Sequence, residues 1–257
     1  MKKRILISAY AFNPLESLQL HPGEDTMAWK LVEQISREHD VWVLTHSSNR
    51  EGILDALSQG EMPGVNINFL ELPGFLWKLN KRKCVQNLYY YFWQRAAWKK
   101  AWELHQDIGF DLAHHITLGD DWIPSFIGTN LGVPFIWGPI RGRPGIPKGL
   151  VRGYSLGRRF VEGSLRLVQW MGRHLPVRKK CVKKARMILV CNQENKETIP
   201  KKYRKKIRYF PVNGIDEEDI RVKPVKMRKQ KKFRVFTSGR MEHFEGFELA
   251  VKAFHLL

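Results

Sequence analysis

The chain has 257 residues, 43% of them hydrophobic, with 9 Trp, 14 Phe and 7 Tyr, enough to bury one large core or two small ones. Its net charge of +19 lies wholly in residues 148–257, with 29 basic and 10 acidic residues there against 15 and 15 in residues 1–147. The three cysteines, Cys84, Cys181 and Cys191, lack C-x-x-C spacing. That argues against a disulfide framework or zinc site and for a reducing compartment. No stretch approaches the roughly 18 apolar residues that would span a bilayer.

The opening MKKRILISAYAFNPLE pairs basic residues with a short apolar run, which Asn13-Pro14 brings to an end. It reads as a first buried strand over Arg4–Tyr10 rather than a secretory leader. Ala28, Leu31, Val32 and Ile35 then share one face of a helix, and VWVLT (41–45) and VNINFLEL (65–72) read as strands. Residues 85–107 form an aromatic-rich helix, whose NLYYYFWQRAAW segment (87–98) suits either a packed core or an interface. DLAHHI (111–116), VPFIW (133–137), MILVC (187–191) and IRYFPV (207–212) are further short strands, with Asn192 placed to cap a helix through Thr198. Residues 216–232 are nearly free of large apolar side chains and read as a basic linker, after which FRVFTSGRMEHFEGFELAVKAFHLL begins a new strand and helix. Short β-branched strands alternating with helices predict an α/β fold, a Rossmann-like parallel sheet with helices on both faces. Ligands of such sheets sit beyond the carboxyl ends of the strands, which selects the loops after residues 10, 45, 116 and 137.

Four segments in such places carry candidate chemistry. HPGEDTMAW (21–29) offers Gly23 for close backbone approach and Glu24 beside it, although acidic residues are also ordinary in a first helical turn. HHITLGDD (114–121) puts His114 and His115 at a strand end on opposite faces, so one of them can meet a pocket as hydrogen-bond partner or general base, or both are structural. No third ligand stands at suitable spacing, which argues against a zinc site. GPIRGRPG (138–145) combines Gly138, Pro139 and Gly142 with the cations Arg141 and Arg143, without the P-loop or G-x-G-x-x-G pattern. SGRMEHFEG (238–246) sets Gly239 and Arg240 at a helix N-terminus, where a diphosphate binds well.

In this order along the chain, these motifs resemble the family 4 retaining glycosyltransferases, enzymes of the GT-B fold with two Rossmann-like domains facing a cleft. RILISAYAFNP resembles the family's opening strand, and PGEDTMAW its first loop. HHITLGDDWIPSFIGTNLGVPFIWGPIRG resembles its acceptor side, while ARMILVCNQENKETI and RYFPVNGID resemble the end of its N-terminal domain. FTSGRMEHFEGFELAVKAF resembles the opening of its second domain. The resemblance implies an acceptor-side domain over 1–215, a linker over 216–232, and the start of a truncated nucleotide-sugar-binding domain over 233–257. It implies sugar transfer, with retention, from a nucleotide-sugar donor to a hydroxyl acceptor such as a lipid-linked or cell-surface glycan. Neither cofactor nor metal is implied, since helix dipoles and basic side chains stabilise the leaving diphosphate. His115 or His114 would face the sugar or acceptor, and Gly23, Glu24, Gly138, Pro139, Arg141 and Gly142 would line the cleft. Gly239 and Arg240 would meet the donor phosphates.

The chain departs from the family pattern at Arg141 and Arg143, where glycines are usual, and at Glu245, where a lysine is usual. With the chain stopping at Leu257, the expectation is little or no transfer by this chain alone, or completion by a separate donor-domain chain. The runs RKKCVKKAR, PKKYRKKIR and KPVKMRKQKKFR fit a cytoplasmic protein held peripherally at the anionic inner face of a membrane. The rival class is a nucleic-acid-binding protein or a non-catalytic interaction subunit. The same charge supports the former, but no nucleic-acid-binding module accompanies it.

Overall fold

The computed structural model describes residues 1–15, 23–74, 86–142, 146, 148–151, 154–212, 235–237 and 246–256. Seven parallel strands form one sheet: β1 (Arg4–Ser8), β2 (Asp40–His46), β3 (Asn66–Leu70), β4 (Leu112–His115), β5 (Phe135–Ile140), β6 (Met187–Val190) and β7 (Ile207–Tyr209). Their order is β3-β2-β1-β4-β5-β6-β7, so the chain reverses direction across the sheet between β1 and β4. That reversal is the topological switch point at which open parallel sheets bind ligands.

Alternation along the strands divides the core in two. Ile5, Ile7, Val41 and Val43 pack with Ala28, Trp29 and Val32 of α1 (Glu24–Ser36) and with Ile53 and Ala56 of α2 (Arg50–Ser58). Leu6, Leu44, Ala113, Phe135 and Trp137 pack on the other face. There they meet α3 (Gln86–Ile108), α4 (Phe126–Asn130) and, after α5 (Lys148–Val151) and α6 (Leu156–His174), α7 (Pro176–Lys184). Tyr89, Tyr90 and Trp93 are buried here, so these rings of the aromatic stretch 87–98 belong to the core, while Leu88 and Phe92 are exposed. The buried rings fall at helical spacing, and Tyr10 meets Trp93 and Tyr90 edge-on.

Asn192 caps α8 (Gln193–Glu197) by accepting from the Asn195 amide at 2.8 Å. β5 runs past the expected end at Trp137 and takes in Gly138, Pro139 and Ile140. Gly138 has φ +116°, and a Cβ there would lie 2.8 Å from the Ile140 amide nitrogen, so glycine lets the strand continue through a conformation other residues avoid.

The chain divides into two compact units, Met1–Pro144 with Gly157–Gly214, and Gly145–Leu156 with Ile215–Leu257. The first holds the sheet. The second holds α5 and α9 (Phe247–His255), where Leu249, Val251 and Phe254 are exposed and Lys252 pairs with Glu248 at 2.8 Å. The strand expected to open at Phe233 is not formed at 235–237, where Val235 and Phe236 are exposed and no neighbouring strand pairs with them among the described residues. The linker 216–232, Cys84, Arg143, Gly239, Arg240 and Glu245 lie outside the described residues. Cys181 and Cys191 are free thiols.

Candidate functional site

The first wall of the site is the segment after β1. Tyr10, Ala11, Phe12 and Asn13 are buried, held by Ala11 N–H donating to Thr117 Oγ1 at 3.1 Å and by Asn49 Nδ2 donating to the Tyr10 carbonyl at 2.7 Å. Gly23, with φ +84°, leads into α1 and places Glu24 and Asp25 in its first turn. The Glu24 carboxylate accepts from the Leu118 amide at 3.0 Å and pairs with the Arg141 guanidinium. The Arg141 amide donates to the Gly119 carbonyl at 2.8 Å. Glu24, Leu118 and Arg141 thus tie together the segments after β1, β4 and β5. Arg141 therefore turns toward Glu24 rather than standing open.

The two histidines lie on opposite faces of β4, His114 in register with Ile7 and His115 with Ser8. Neither faces open solvent: His114 is 5% exposed and His115 1%. His114 Nε2 donates to the Gly138 carbonyl at 2.8 Å, and burial pushes its pKa down to about 4. His115 Nε2 shares a hydrogen bond with the Tyr90 hydroxyl at 3.1 Å, and burial and the neighbouring His114 push it down to about 3. Both are neutral at pH 7 and bonded to protein groups, His114 to the Gly138 carbonyl and His115 to the Tyr90 hydroxyl. The cause is register: both side chains fall within the strand, under the helices.

Gly138 and Pro139 are both buried in β5, so the described part of this segment continues the strand instead of opening a loop at Gly138. Gly142 is buried too, and a Cβ on it would stand 2.6 Å from Asp121 Oδ1 and 3.1 Å from Asn195 Oδ1. Glycine at this place admits the acidic loop.

The carboxylates of that loop divide by environment. Asp121 is fully buried and accepts two bonds from Arg173 of α6, at 2.6 and 3.1 Å, while its carbonyl accepts from Arg178 Nε at 3.1 Å. Asp120 is half-buried; its carbonyl accepts from the Ile123 amide at 3.2 Å, while its carboxylate has no hydrogen-bond donor among the described residues. Burial and the adjacent Asp121 push its pKa up to about 6, against the opposing pull of Arg173. A carboxyl that changes charge near neutrality at the switch point is a candidate acid or base. Sequence reasoning reached the GDD segment but passed over Asp120; the signal was an acidic pair directly after a strand end. It also missed His46, at the carboxyl end of β2, buried with Nδ1 accepting from the Ser48 amide at 3.1 Å and Nε2 against the Tyr89 hydroxyl at 2.8 Å. Burial lowers His46 to about 4 and raises Tyr89 to about 12. Among the described residues no cluster of three His, Cys, Asp or Glu side chains is arranged to hold a metal ion.

No family model matches the chain, and no curated protein sequence matches it. Solved structures similar to it include CalG4, the calicheamicin glycosyltransferase, at 14% identity and a TM-score of 0.43, over 82% of this chain and 52% of that one. UGT89C1 of Arabidopsis thaliana, complexed with UDP-L-rhamnose, is similar at 13% identity and a TM-score of 0.47, over 83% and 53% of the two chains. TcCGT1 in complex with UDP is similar at 13% identity and a TM-score of 0.45, over 83% and 51%. The chain spans about half the length of each of these structures.

Proposed function

We propose that this chain is the acceptor-side part of a retaining glycosyltransferase of the GT-B kind, which moves a sugar from a nucleotide-sugar to a hydroxyl of a glycan or glycolipid. The observation that carries the reading is the convergence of residues 23–25, 114–121 and 137–142 at the switch point, joined through Glu24, Leu118 and Arg141. In this reading Asp120 accepts a hydrogen bond from the acceptor hydroxyl, and its ionisation near pH 6 leaves it an acceptor at neutral pH. The Glu24–Arg141 pair orients the acceptor, and His114 and His115 are positioning residues that hold β4. Gly239 and Arg240 take the donor diphosphate, in keeping with the motif resemblance.

The test lies on the acceptor side, where the geometry is defined. Saturation-transfer NMR with a panel of saccharides and short-chain polyprenyl-phosphate sugars is expected to find a hydroxyl-rich ligand. Its affinity should fall roughly tenfold, the worth of one good hydrogen bond, in Asp120→Asn and in Arg141→Ala. Binding that both substitutions leave unchanged would overturn the assignment, as would sequence-specific nucleic-acid binding with no saccharide bound.

A further inference from the structure

α6, Leu156–His174, is exposed along most of its length on polar and apolar sides alike. It touches the protein through a few residues: Glu162 is 7% exposed, Arg173 holds Asp121, and Gly172 is buried where a Cβ would stand 2.9 Å from the Trp122 ring. Its apolar side is open to solvent, with Phe160 at 76%, Leu167 at 58%, Trp170 at 57% and Met171 at 55% exposure. Phe160, Leu167 and Met171 follow the i, i+7, i+11 spacing of a single stripe, and Trp170 lies beside it. An ordinary surface helix turns such a stripe to the core, and a water-facing apolar stripe of this extent marks an interaction surface.

Charge decides the kind of partner. Arg158, Arg159 and Arg166 of the same helix are exposed, and so are Lys179, Lys180, Lys183 and Lys184 of α7, which begins one residue later. The short helical turn after α8, Lys201–Lys206, is basic as well. An apolar helix face flanked by cations suits an anionic lipid surface: the side chains enter the acyl boundary while arginine and lysine reach the headgroups. Trp170 favours that depth as well. No helix among the described residues is long and apolar enough to cross a membrane, so the contact is one of lying on the surface.

We infer that the outward apolar face of α6 docks the protein on a bilayer rich in anionic phospholipid. The inference is independent of the transfer reading, since it concerns where the protein sits and not what it does to a sugar.

Co-sedimentation of the full chain with phosphatidylcholine vesicles, with and without phosphatidylglycerol, tests it. The wild type is expected to pellet with the anionic vesicles, and severalfold less with the neutral ones. The charge-neutral double substitution Phe160→Ser/Trp170→Ser is expected to reduce binding at least tenfold. Phe254→Ser, which removes a comparably exposed ring from α9, leaves binding unchanged. Quenching by bromine-labelled lipid, compared between wild type and Trp170→Phe, reads insertion of Trp170 directly and does not depend on how the double variant folds. The proposal fails if the double variant binds like wild type, or if Trp170 is not quenched. It also fails if the chain is a dimer in solution that the double variant dissociates, because a second copy then covers the face.

Discussion

Asp120 and Asp121 are neighbours with opposite fates. Asp121 receives a bidentate guanidinium in the core, whereas the Asp120 carboxylate has burial and the neighbouring Asp121 to contend with and no hydrogen-bond donor among the described residues. The folded carboxyl of Asp120 ionises near 6 and the unfolded one near 3.8, so between these values the folded chain holds the extra proton and stability falls as pH rises. Above that window the whole cost is present. Asp120→Asn should therefore stabilise the protein at pH 7 by about 1–2 kcal/mol, after allowance for partial exposure, and give no gain below the window. Urea denaturation at two pH values checks this. A residue that costs stability at the switch point is one whose retention asks for a functional reason.

At the scale of elements, α6 is anchored by its C-terminal turn. Arg173→Ala would leave the Asp121 carboxylate buried without its charge partner, and a loss of about 3–5 kcal/mol is expected in chemical denaturation. Adding Asp121→Asn should restore part of that loss; no restoration would show that Arg173 acts through packing alone. The strands were legible because β-branched runs of four to seven residues leave little choice, and the Asn192 cap was legible because its chemistry is local. The last part of β5 was not, since Gly138-Pro139 reads as a turn while the neighbouring strands β4 and β6 hold it extended. The stripe on α6 was present in the sequence as a period of 3.6, but a period says which face is apolar and not which face looks inward. Nor could the sequence show that two adjacent histidines would both be covered, because coverage comes from α3 and from the neighbouring strands.

For the whole molecule, three buried histidines dominate the response to acid. His46 and His114 are lowered to about 4 and His115 to about 3, from an ordinary 6.5. As pH falls from 6.5 toward 4, the unfolded chain takes up protons that the folded chain refuses, so stability is lost across that window. Asp120 acts in the opposite sense, as one group against three. Near-UV circular dichroism should therefore report loss of tertiary packing between about pH 6 and 4; an unchanged spectrum below pH 4 would falsify the assignment of these rings as buried and neutral.

The first strand of the chain, β1, matters in time as well as in space. β1 is paired on one side with β2, which comes soon after it in the chain, and on the other with β4, whose Leu112 meets Ile5. Its amide at Arg4 is bound by Asp111, 107 residues later. During synthesis at about 5–20 residues per second, β1 therefore waits for many seconds with the backbone N–H and C=O groups of one edge unpaired. The earliest strand made is the one that waits longest for its second neighbour, so a nascent chain stalled before residue 112 should be a strong substrate for chaperones, and one extended past β5 a weak one.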